Sequence, residues 1–193
     1  MKRHRIKVSL SAIILNNSSF GRENQVKIAK LKQKAKVYES RGTRLDVNFH
    51  LRQIAETHSG RETILDILNS KTSFIPLEDL KAGDILFLNK GEMVRVELHE
   101  REIAPEIKIP LEVPVQVKLT NGEILLGNFL IDMPPARSRV SDYLNYSPQF
   151  LYLCQNKGDV ILNKAYMHSV KNARGSSKDK KITTKTRKIE NTK

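Results

Sequence analysis

Apolar and polar residues alternate with a period of two in two separate stretches. One runs through Leu45, Val47, Phe49 and Leu51, the other through Val115, Val117 and Leu119. That is the period of a strand with one buried face. Each stretch belongs to a predicted hairpin. Asn121-Gly122, ahead of the return strand Glu123–Ile131, is the strongest short turn signal, because glycine enters positive φ without steric cost. Arg41-Gly42 holds the same place between Val37–Glu39 and Leu45–Leu51. Beyond the second hairpin the pattern predicts a short helical turn over Ser141–Asn145. Strands are then expected near Gln149–Cys154, Asp159–Leu162 and Tyr166–Val170. Nearer the start, Lys2–Leu15 alternates partly and reads as a strand, and NNSSFG as a turn. Asn24–Ala35 places Val26, Ala29, Ile28 and Leu31 toward one face among lysines 27, 30, 32 and 34, which predicts a short amphipathic helix.

The two hairpins belong to a longer repeat. Val37–Leu51 aligns without a gap on Val117–Ile131, Arg61–Leu77 on Arg137–Leu153, and Leu88–Val96 on Leu162–Val170, with 16 identities in 41 pairs. A repeated stretch of this length is one structural unit used twice. About five short strands are therefore expected per copy. With so few strands, a small barrel is the natural way to hide the edges. Units this small bury little surface alone, so the copies should pack on each other or on a partner chain. Between them Leu98–Pro114, with three prolines, reads as an extended linker.

Charge divides the chain differently. Residues 1–44 carry 12 Lys/Arg against 2 Asp/Glu, a net +10. Residues 45–170 come to −4, and residues 171–193 to +7. The repeated body is mildly acidic and the ends are strongly basic. The last stretch has two isoleucines as its large apolar residues, too little to offset ordering entropy, so a disordered basic tail is expected. Such ends attract phosphate backbones by counterion release. The single cysteine, Cys154, excludes an internal disulfide and any multi-Cys zinc site, and its apolar surroundings suit a buried strand thiol. The basic start leads into eight apolar-rich residues with two serines and no cleavage pattern, so a cytoplasmic chain is expected. No run approaches a membrane span.

Catalytic signatures are lacking: there is no GxSxG, P-loop or GxGxxG motif, no His pair spaced for a metal, and no histidine placed to pair with Cys154. No enzyme activity, metal or cofactor is expected. Among polar residues kept in both copies, Arg61/Arg137 with Asp66/Asp142 could form a recurring ion pair. Asn69/Asn145 could cap a short helix in the left-handed conformation. Asn89/Asn163 precede a tight turn.

Val115, Val117, Leu119, Asn121, Gly122, Leu125, Gly127, Leu130 and Asp132 resemble the first half of an Sm-like (SH3-type) small barrel. Gly127 stands where a strongly bent strand curls the sheet, and the first copy has Val47 there. The segment from Arg139 through Asp142, Leu144, Asn145 and Phe150 also resembles a bacterial domain of unknown function. The resemblance implies a mainly β fold of two tandem small barrels, residues 35–97 and 115–171. A basic strand and helix over 1–34 would precede them, a linker over 98–114 would join them, and a tail over 172–193 would follow. It also implies that a base is pinched at Asp132 and Asn163-Lys164, matched by Lys90 in the first copy, although the Arg-Gly usual in the second loop is absent. Arg3 and Arg5 followed by Asn16-x-Ser18-x-x-Gly21 are more distantly similar to PilZ cyclic-dinucleotide sensors, with different spacing.

These readings converge on a non-enzymatic protein that binds nucleic acid, RNA before DNA, or another polyanion. The candidate contacts are Lys2, Arg3, Arg5, Lys27, Lys30, Lys34, Lys90, Asp132, Asn163, Lys164, Lys180, Lys181, Arg187 and Lys188. The alternatives are a protein-interaction module working through the acidic body, as a possible homo-oligomer, and the PilZ-like sensor.

Overall fold

The computed structural model describes residues 30–102 and 111–173. The predicted strand over Lys2–Leu15, the first half of the predicted N-terminal helix and nearly all of the basic tail lie outside the described residues. So do Lys2, Arg3, Arg5, Lys27, Lys180, Lys181, Arg187 and Lys188, together with the residues of the PilZ-like pattern.

Ten antiparallel strands form one sheet. The first copy supplies β1 (Leu31–Glu39), β2 (Arg44–Leu51), α1 (Ile64–Asn69), β3 (Phe74–Asp79), β4 (Ile85–Asn89) and β5 (Met93–Leu98). The second supplies β6 (Leu111–Leu119), β7 (Ile124–Ile131), α2 (Val140–Tyr146), β8 (Phe150–Cys154), β9 (Val160–Asn163) and β10 (Met167–Asn172). The sheet order is β10-β6-β7-β8-β9-β5-β1-β2-β3-β4. Within each copy the last strand thus lies beside the first, followed by the second, third and fourth. The copies join where β5 pairs with β9, at Arg95↔Leu162, Val96↔Ile161 and Glu97↔Val160.

Three expectations require correction. The sheet is open among the described residues, with β10 and β4 at its ends, so two separately closed barrels are not observed. Joining the copies edge to edge hides one edge of each. The predicted helix over Asn24–Ala35 also fails at its C-terminal end, because Leu31–Ala35 is strand. Gln33, Ala35 and Val37 alternate inward and β1 is held on both sides, by β2 and β5. Lysines at every second position fit a strand with one wet face as well as they fit a helix, and the pairing decides. Both ends of the expected linker are strand too, Leu98 in β5 and Leu111–Pro114 in β6.

Both hairpin turns form as their glycines predict, with φ of 84° at Gly42 and 88° at Gly122. The Asn121 side chain accepts from Glu123 N–H at 3.0 Å. The bend position separates the copies. A Cβ on Gly127 would lie 2.4 Å from the Cys154 carbonyl oxygen, so β7 and β8 approach closer than any side chain allows. Val47, its counterpart, is fully buried and is accommodated in the core.

Two apolar cores result. One gathers Val37, Val47, Phe49, Leu51, Ile64, Leu68 and Leu77 of the first copy, and it also takes in Phe150, Tyr152 and Ile161 of the second. The other gathers Val115, Val117, Phe129, Leu151, Leu153 and Leu162, and receives Val94 from the first copy. Each core therefore borrows from across the β5–β9 seam.

Candidate functional site

The seam is where the structure brings predicted site residues together. Lys90 and Asn163 both line a cleft of about 370 Å³ between the copies, with Leu68, Asn69, Gln149 and Phe150. Asn163 is buried and starts a single 3-10 turn, its side-chain oxygen accepting from Ala165 N–H at 3.0 Å while its amide donates to the Met93 carbonyl at 2.8 Å. Asn89 begins the matching turn in the first copy and accepts from Gly91 N–H at 2.9 Å.

The repeated lysine has a local structural task. Lys90 Nζ donates to the carbonyls of Leu68 and Ser70, at 3.0 and 2.6 Å, where α1 ends. Lys164 Nζ donates to Leu144 and Ser147, at 3.0 and 2.7 Å, where α2 ends. A cation there meets unsatisfied carbonyls and the negative end of the helix dipole. Burial lowers the Lys90 pKa from its ordinary value. The two lysines are thus committed to helix ends. Asp132 is exposed just past β7 and is not one of the residues that line the cleft. Lys30 and Lys34 are exposed at the start of β1, beside exposed Lys32, whose Nζ meets Glu78 at 3.0 Å.

The expected ion pair between the repeated arginine and aspartate is also replaced. Asp66 closes a capping box with Thr63 at the start of α1 and meets His58 Nε2 at 3.1 Å. Burial opposes ionisation of Asp66, but the bonds from Thr63 and His58 outweigh it and lower its pKa. Arg61 instead donates to Gln33 Oε1 at 3.2 Å. Arg137 lies over the Tyr146 ring, 5.2 Å from its centre. Nor do Asn69 and Asn145 cap in the left-handed region: Ser70 and Ser147, which end the helices, have φ of −64° and −72°.

Asn69 reaches across the seam. Its side-chain oxygen accepts from Phe150 N–H at 2.9 Å and its amide donates to Phe150 O at 3.0 Å, satisfying both backbone groups of one residue. The repeat singled out Asn69, but a sequence does not say which strand lies beside it.

A second cluster on the seam was not legible in the sequence. Gln33 Nε2 donates to Glu102 Oε1 at 3.1 Å, and so does Ile64 N–H at 2.7 Å. Glu102 N–H donates to the Tyr152 hydroxyl at 3.3 Å, and that hydroxyl donates to Asp159 at 2.7 Å. Arg101 Nε completes the chain on Asp159 at 2.9 Å. Burial pushes the Glu102 carboxyl up to about 7, and its Oε2 is buried with no hydrogen-bond partner among the described residues. The members come from β1, α1, β8, the turn before β9 and the segment after β5, so no local spacing announces them.

Burial likewise raises the Cys154 thiol to about 11, with Asp159 adding to the effect. Among the described residues no three His, Cys, Asp or Glu side chains gather as a metal-ligand set, and no helix is long and apolar enough to cross a membrane. No family model, curated protein or solved structure matches the chain.

Proposed function

We propose that the protein is a non-enzymatic small-barrel protein that binds nucleic acid, RNA in preference to DNA, through its basic ends. One observation carries the reading: charge is segregated, +10 and +7 at the ends against −4 in the body. The engagement of four of the body's cations adds to it. Lys90 and Lys164 hold helix ends. Arg95 is buried between Glu97 and Glu123, at 2.6 and 3.1 Å, and Arg101 is paired with Asp159. The exposed cations Lys30 and Lys34 continue the basic N-terminal segment onto β1. In this reading the cytoplasmic body positions the ends, and each five-stranded copy is a variant of the Sm-like barrel joined to its neighbour. The tight approach at Gly127 supports that last point.

Salt-titrated binding of single-stranded RNA and DNA to the full chain tests the proposal. Affinity should fall linearly on a log–log plot, with a slope of about −0.7 per neutralised phosphate. Replacing Lys2, Arg3, Arg5 and Lys27, or Lys180, Lys181, Arg187 and Lys188, by glutamine should flatten that slope. No binding by the unaltered chain at low salt refutes it. A protein-interaction role for the body is favoured by one separate observation, the exposed aromatic residues Phe74 and Phe87.

A further inference from the structure

The two copies present the same strands to different surroundings, and the differences in burial lie on two complementary surfaces. Along β3 and β4, Phe74 is 58% exposed and Phe87 66%. Their counterparts in the second copy, Phe150 and Ile161, are 3% and 0% exposed because they pack into the first copy's core. The receiving surface shows the converse. Ile64 and Leu68 of α1 and Met93 and Val96 of β5 are fully buried under that packing. Val140 and Leu144 of α2 and Met167 and Val170 of β10, their counterparts, are only half-buried, and α2 buries no residue fully. The first copy thus offers an aromatic face with nothing over it among the described residues. The second copy has a matching core that lacks its cover.

The unused polar groups match as well. Asn69 pairs with both backbone groups of Phe150 across the seam, whereas Asn145 is exposed and donates to Ser141 O of its own helix at 2.8 Å. Asn163 donates across the seam to Met93 O, and Asn89 is its counterpart on β4, whose outer edge has no partner strand among the described residues.

We propose that β4 of one molecule pairs with β10 of a second copy of this chain, repeating the internal β5–β9 seam between molecules. Transferring the internal register puts Leu88 opposite Ser169, Phe87 opposite Val170 and Leu86 opposite Lys171. Asn145 then takes the Phe74 backbone as Asn69 takes Phe150, and Asn89 reaches the Met167 carbonyl. The contact is head-to-tail, so it leaves one free edge of each kind and propagates into a ring or a filament. It is independent of any nucleic-acid role.

Sedimentation of the full, nuclease-treated chain over a range of concentrations tests this, with two edge variants. Phe87→Glu blocks the β4 edge and Val170→Pro removes an amide that faces out from the β10 edge, the alternate amides of that strand being turned to β6; neither site is fully buried, and circular dichroism checks the fold. The unaltered chain should associate, each variant alone should be monomeric, and an equimolar mixture should form a one-to-one heterodimer through the two intact edges. A monomer at every concentration overturns the proposal, including the case in which another segment of the same chain covers the edge. Association that survives either variant, or a mixture that stays monomeric, also overturns it.

Discussion

Asn69 and Asn145 occupy the same repeat position, and the structure predicts that replacing them has very different costs. Asn69→Ala removes two hydrogen bonds at once and strands the N–H and C=O of Phe150, a residue 3% exposed. A buried backbone group left unpaired costs about 1–3 kcal/mol. Water can reach part of this rim, so the sum should be about 2–4 kcal/mol. Asn145→Ala removes one exposed bond within α2, and alanine is the better helix former by roughly half a kcal/mol, so the change should be near zero. Urea unfolding of both variants, at a concentration where the chain is monomeric, reads these values from midpoint shifts at constant slope. Equal losses in the two variants would show that the asparagine acts within its own copy and that the seam contact contributes nothing.

Three further outcomes follow from the same structure. Gly127→Ala drives a methyl group into the Cys154 carbonyl and Leu153, and should cost about 1–3 kcal/mol in the same assay; an unchanged midpoint would refute the close approach of β7 and β8. Glu102 has a folded-state pKa of about 7, above the ordinary 4.5, so the folded state holds its proton more tightly. Stability is then fully present below about pH 4.5 and lost as pH rises through 7, by on the order of 2–3 kcal/mol. Glu102→Gln should abolish that loss, and a variant with the same pH profile as the parent would refute the assignment. Lys164→Met should lower stability by about 1 kcal/mol through the freed carbonyls of Leu144 and Ser147 and leave RNA affinity unchanged; a large affinity loss would return this lysine to the binding surface.

Much of the local structure was readable in the chain because it depends on near neighbours. Period-two alternation marked β2 and β6. Asn-Gly and Arg-Gly marked turns that only positive φ closes, and the repeat marked the later strands of the first copy. The predicted helix over Asn24–Ala35 shows the limit. Lysines between apolar residues satisfy two periods at once, and partners on both sides of Leu31–Ala35 choose the strand. Lys90 and Lys164 show it for function, since a repeated lysine looks the same whether it holds phosphate or a helix end.

The sequence by itself determined most of the described strands, the tight turns, the duplication and the separation of basic ends from an acidic body, all of which follow from spacing and composition. The tertiary structure alone decided that the copies join edge to edge in one open sheet. It alone placed Asn69 on Phe150 and gathered Gln33, Glu102, Tyr152 and Asp159 into one chain of hydrogen bonds. The physical reason is range: alternation and turn geometry act over a few residues, whereas the pairing of β5 with β9 joins positions more than 60 residues apart, and no local pattern states which edge meets which.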